Sequence, residues 1–156
     1  MINAGRSRGN ALLGRLTRLV AALLVALLTM TGTAVSASAA AGDCPVGNAC
    51  IWGDQNYMTG GVGTAYVKFY ECHHSFTASK FKGTNTNAND KATSVSNRGT
   101  TEHAAFYPHE LYRGTPFTLS KGTGDGRLND STGNAPGGYD DILSSGKFAS
   151  AKTSCV

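Results

Sequence analysis

The hexapeptide Asn89-Asp90-Lys91-Ala92-Thr93-Ser94 returns fifty-one residues later as Asp140-Asp141-Ile142-Leu143-Ser144-Ser145. Ahead of each copy stands an aromatic pair five residues apart with a glycine just beyond: Trp52, Tyr57 and Gly60, then Tyr107, Tyr112 and Gly114. Aromatic hairpin, hexapeptide, aromatic hairpin, hexapeptide is the order of a tandem duplication, with halves of about 50 residues meeting near residues 99–103. Trp52 to Gly60 is one residue longer than Tyr107 to Gly114, which reads as an insertion in a surface hairpin loop. From average residue usage, one such hexapeptide matches by chance at about one position in ten thousand. Two matches at the same place in a repeat lie beyond accident.

What separates these landmarks excludes a helical fold. Glycine and Asn/Asp/Ser/Thr clusters recur throughout, and short aromatic and β-branched runs lie between them, among them residues 65–72, 104–112 and 115–120. Tyr66, Lys68 and Tyr70 alternate with Val67 and Phe69, the period of a half-buried strand. The class is all-β, a sandwich or barrel. Residues 121–138 are polar and glycine-rich, a long loop of the kind that is either functional or mobile, and expected to be too flexible to serve as a reactive loop.

The first 39 residues have the layout of a secretory signal peptide. Arg6, Arg8, Arg15 and Arg18 precede an apolar run from Leu19 to Met30, and small residues end at Ala37-Ser38-Ala39, where cleavage is expected. The run is too short for the ~20 residues of a membrane anchor. With it go four of the 14 Lys and Arg and none of the 10 Asp and Glu, so a domain spanning 40–156 is neutral and carries no electrostatic footprint for nucleic acid. All four cysteines fall in that domain: Cys44, Cys50, Cys72 and Cys155. An even count in an exported chain reads as two disulfides, with three connectivities open on spacing alone. The expected pairing is Cys44 with Cys50, stapling an N-terminal turn, and Cys72 with Cys155, tying the chain end to the body. A zinc site at Cys72, His73 and His74 is disfavoured, because adjacent strand residues point to opposite faces.

Asn, Asp, Ser and Thr in a short turn have two uses. They cap turns through hydrogen bonds to backbone, and their oxygens suit calcium, a hard cation that takes six to eight oxygen ligands. Duplication of the whole set favours the second use.

Two aromatic hairpins, each followed by N/D-N/D-x-x-S/T-S, resemble the βγ-crystallin superfamily, in which two Greek key motifs pair into one sandwich. Residues 44–61 and 89–99 resemble more narrowly the secreted actinobacterial metalloproteinase inhibitors of that fold, peptidase inhibitor family 36. The resemblance covers Cys44 to about Phe148 and implies motif one at about 44–98 and motif two at about 103–150. It also implies two calcium ions. Asp90 and Asp141 would give carboxylate oxygens, Thr93 and Ser144 hydroxyls, and Lys91 and Ile142 backbone carbonyls. Asn89 and Asp140 complete the candidate set, with a further carbonyl from the facing hairpin near Gln55 or His109. Ser94 and Ser145 would hold the turns together. Few of these ligands are charged, and extracellular calcium modules bind at about 10⁻⁴ to 10⁻³ M.

The implied function is a secreted, non-enzymatic, calcium-binding inhibitor of a secreted protease, acting as a monomer away from membrane and nucleic acid. The alternative is a calcium-stabilised structural or antimicrobial, toxin-like module. The chain departs from the inhibitors in one respect: its second half has no close cysteine pair to tether a reactive loop. Enzyme motifs such as GxSxG, HExxH or a phosphate-binding loop are absent, and Glu71, Glu102 and Glu110 are scattered.

Overall fold

A computed structural model describes residues 41–150 and Cys155. The leader assigned to residues 1–39 lies outside the described residues. Eight short strands form two antiparallel sheets, β1 (Ala49–Trp52), β2 (Val67–Phe69), β3 (Cys72–His73), β4 (Ser94–Asn97), β5 (Ala104–Tyr107), β6 (Phe117–Leu119), β7 (Gly124–Asp125) and β8 (Ser145–Phe148). The first sheet runs β2-β1-β4-β7 and the second β3-β8-β5-β6. Each is three strands of one motif completed by a strand of the other: β7 leaves motif two to pair Asp125 with Val95, and β3 leaves motif one to pair His73 with Gly146. These are two Greek keys with exchanged third strands, an all-β sandwich as expected.

Period-two alternation drives the packing. In β2, Val67 and Phe69 are buried while Lys68 between them is exposed. Ala49 and Ile51 of β1 face the inter-sheet core with Val95, Phe106, Phe117, Leu119 and Phe148. Phe69 crosses between the sheets, its ring edge-on to Phe106 at 5.8 Å and Phe148 at 5.7 Å. Aromatic edge contacts of this kind add stabilisation beyond the area they bury. The other face of β1 supports a second small cluster, Cys50 and Trp52 with Cys44. The disulfides are Cys44–Cys50 and Cys72–Cys155, as expected, so Cys72 has no thiolate to offer zinc.

The junction between motifs is nailed by buried Asn97. Its amide Nδ2 donates to the carbonyls of Glu102 and Leu119, and its Oδ1 accepts the Gly99 N–H at 2.8 Å.

The glycine-rich stretch 121–138 differs from expectation, because side chains inside it satisfy its backbone. Asp125, 2% exposed, accepts the Arg127 N–H at 2.8 Å through Oδ1 and the Ala135 N–H at 2.7 Å through Oδ2. Leu128 and Ala135 are buried in the core. A Cβ at Gly133 would fall on the Asp125 carboxylate, which explains a glycine there.

Candidate metal centre

Each aromatic pair closes a folded hairpin whose backbone turns through the left-handed region. Asn56 and Tyr57 have φ of 58° and 61°, and Leu111 and Tyr112 have 56° and 58°. The rings meet edge-on, Trp52 and Tyr57 at 5.5 Å, Tyr107 and Tyr112 at 5.7 Å. The last serine of each hexapeptide locks the hairpin of its own motif. Ser94 Oγ donates to the Asp54 carbonyl at 2.6 Å and accepts the Tyr57 N–H at 3.1 Å. Ser145 Oγ donates to the His109 carbonyl at 2.6 Å and accepts the Tyr112 N–H at 3.1 Å. Both serines are completely buried. Gly114 closes the second hairpin with φ of 82°, and a Cβ there would lie 2.6 Å from Pro108.

The hairpins also dock across the motif boundary. The Asn56 N–H donates to Gly126 O of motif two at 3.0 Å, and the Leu111 N–H donates to His74 O of motif one at 2.8 Å. The hexapeptides themselves exchange a reciprocal pair, Asp90 N–H to Leu143 O at 3.1 Å and Asp141 N–H to Ala92 O at 3.0 Å. Asp90 and Asp141 adopt the same left-handed turn, with φ of 52° and 54°. The internal two-fold thus passes between the hexapeptides.

This crossing brings together oxygens from different motifs. Ser144 Oγ lies 2.8 Å from Asp90 Oδ1 and 3.0 Å from the Pro108 carbonyl. The hairpin carbonyl that reaches this cluster is therefore that of Pro108, since His109 O already accepts the Ser145 hydroxyl. By the repeat, Asp141, Thr93 and the Gly53 carbonyl are the counterparts. Thr93 and Ser144 share their backbone setting, donating to Trp52 O and Tyr107 O respectively, each at 2.9 Å. Neither the Lys91 nor the Ile142 carbonyl accepts a hydrogen bond among the described residues, and both side chains are exposed.

The donor set suits a hard cation. Asn89 Oδ1 and Asp140 Oδ1, the first side chain of each hexapeptide, are buried oxygens with no hydrogen-bond partner; leaving such groups unpaired is costly. Burial holds the Asp141 carboxyl above its ordinary range, and Asp140 and Asp90 push it the same way against the opposing pull of Lys91. Three carboxylates repel here, and a cation would relieve them.

The exchanged Greek keys, with oxygen-rich turns at their junction, define a βγ-crystallin-type domain. A solved structure from work on the evolution of the eye-lens βγ-crystallin fold matches with a TM-score of 0.51 at 18% identity, over 67% of this chain and 88% of that one. Other matches include a βγ-crystallin from Ciona intestinalis, with a TM-score of 0.46 at 18% identity over 65% and 99% of the two chains, and one from an archaeon, with a TM-score of 0.45 at 15% identity over 67% and 99%. The sequence profile of peptidase inhibitor family I36 matches residues 37–119, and the chain belongs to that family. No curated protein matches it.

Two features of the site escape sequence reading. The Pro108 carbonyl is backbone and leaves no residue-type signal. The contact of Asp90 with Ser144 rather than with Thr93 follows from the reciprocal pairing of the two hexapeptides, which residue types alone do not announce.

Proposed function

We propose that this protein is an exported, calcium-stabilised inhibitor of a secreted protease, without catalytic activity of its own. Membership of peptidase inhibitor family I36 supports the inhibitory role. The observation that carries the calcium reading is the convergence of Asp90, Ser144 and the Pro108 carbonyl from two motifs, beside a buried unpaired oxygen in each hexapeptide. Asp90, Ser144 and Pro108 O hold one ion; Asp141, Thr93 and Gly53 O hold the other; Asn89, Asp140 and the Lys91 and Ile142 carbonyls complete the shells. The ion supplies charge neutralisation and cross-links the motifs. It performs no chemistry on a substrate.

The basic leader, the apolar run and two disulfides support export. Protein recovered from culture medium should begin at Ala40. The functional test is titration of a thermolysin-like zinc protease against a peptide substrate. Loss of turnover at near-stoichiometric protein supports inhibition; full turnover at tenfold excess across zinc, serine and cysteine proteases leaves a calcium-stabilised module and defeats the inhibitory reading.

A further inference from the structure

The duplication supplies an internal control for Leu111. The backbone at the second hairpin position must turn left-handed in both motifs, at φ 58° for residue 56 and 56° for residue 111. Motif one fills it with asparagine, which tolerates that region well; motif two fills it with leucine, which does not. Burial compensates only in part, because Leu111 is 50% exposed. The fold therefore gains little from leucine at this position, and strained residues of this kind collect at sites of function.

The surroundings hold the backbone of the turn in place. The Leu111 N–H is tied to His74 O at 2.8 Å, the flanking His109 carbonyl and Tyr112 N–H are both bonded to buried Ser145, and the Lys147 ammonium sits 4.9 Å from the Tyr112 ring centre. An aliphatic side chain on a hydrogen-bonded turn has little backbone freedom to lose when it enters a pocket. Resting on the inhibitory reading above, we infer that Leu111 is the anchor inserted into an apolar specificity pocket of the protease.

The test measures Ki for a thermolysin-like zinc protease with the full secreted protein and its Leu111→Asn, Val46→Asn and Val62→Asn variants, with melting curves of each. Val46 and Val62 are also exposed aliphatic residues and serve as controls. Expected is a Ki raised on the order of tenfold or more for Leu111→Asn alone, at a melting temperature equal to or above the parent. A parent that inhibits while Leu111→Asn inhibits equally well overturns the anchor and leaves the inhibitory reading intact; so does a loss confined to Val46→Asn or Val62→Asn. A parent that does not inhibit removes both. Leu111→Met, which keeps an apolar side chain, should retain most of the inhibition, and a loss as large as that of asparagine would overturn the apolar pocket, since apolar character would then not be what the protease reads.

Discussion

The crossing of ligands between motifs can be tested by pairing mutations. Asp90 and Thr93 share a hexapeptide, yet Asp90 lies 2.8 Å from Ser144 of the other one. Calcium at ten times its Kd adds about 1.4 kcal/mol per site. For the 110 residues of 41–150, unfolding entropy of about 2.1 cal/mol/K per residue converts each kcal/mol into about 4 °C. The parent should therefore gain about 11 °C between EDTA and calcium at ten times its Kd. Asp90→Ala should keep about half of that gain, and so should Ser144→Ala. The double variant Asp90→Ala/Ser144→Ala should also keep half, because both changes fall on one ion. Asp90→Ala/Thr93→Ala should respond to calcium hardly at all, since its two changes disable different ions. Scanning calorimetry of each variant with and without calcium cancels the cost of the mutation itself, and magnesium serves as the control cation. If Asp90→Ala/Thr93→Ala keeps half and Asp90→Ala/Ser144→Ala keeps none, each ion is held within one hexapeptide and the crossed assignment fails. Equal melting in calcium and EDTA for the parent removes the metal centre altogether.

Other outcomes follow from the same geometry. Ser94→Ala and Ser145→Ala each lose two hydrogen bonds in a fully buried position, so each should cost about 2 kcal/mol in denaturant unfolding; a difference of more than about 1 kcal/mol between them would argue against equivalent hairpin locks. Of the disulfides, Cys72–Cys155 closes an interval of 83 residues and Cys44–Cys50 one of 6; chain entropy puts their stabilisation at about 4.5 and about 2 kcal/mol, and serine variants measured by urea titration should keep that order. The raised Asp141 carboxyl means that the folded state holds this proton more tightly than the unfolded chain does, so stability declines as pH rises from the unfolded carboxylate value upward. In EDTA, the Asp141→Asn variant should accordingly gain on the parent in melting temperature from pH 3 to pH 6, and calcium should reverse the advantage at neutral pH; a constant gap across that range would refute the strain.

The duplication is the legible part of this sequence because both copies obey the same side-chain demands. Aromatic pairs at Trp52/Tyr57 and Tyr107/Tyr112 must close hairpins, and Ser94 and Ser145 must lock them, so residue type survives at each position. Strand exchange is illegible for the opposite reason. Strands β3 and β7 contribute only Cys72–His73 and Gly124–Asp125, and nothing in four such residues states which sheet they join. The order in residues 121–138 is also hidden. Composition shows glycine and polar residues, whereas the determining facts are a buried carboxylate at Asp125 and a buried Leu128, both of which depend on tertiary packing. Motif one has a different solution at the place of Leu128, namely Phe76, whose N–H donates to Ser144 O as that of Leu128 donates to Thr93 O.

Exchange of the third strands also explains why the centre would stabilise the whole domain and not one motif. Each hairpin rests on the residue that follows the other motif's crossed strand, through Asn56 on Gly126 and Leu111 on His74, so neither half retains its docking partner if the other opens. An ion between Asp90 and Ser144 bridges the same boundary at a second point, next to the Pro108 end of the hairpin that carries Leu111. Calcium should then affect inhibition as well as melting, by holding that hairpin against the body while its exposed tip is engaged. Ki for the parent should rise when EDTA replaces calcium-loaded protein, measured with a serine or cysteine protease if one responds, so that the chelator spares the enzyme. With zinc proteases alone, the comparison is made between Ser144→Ala and the parent in calcium, where a matching Ki would separate the metal centre from the inhibitory surface.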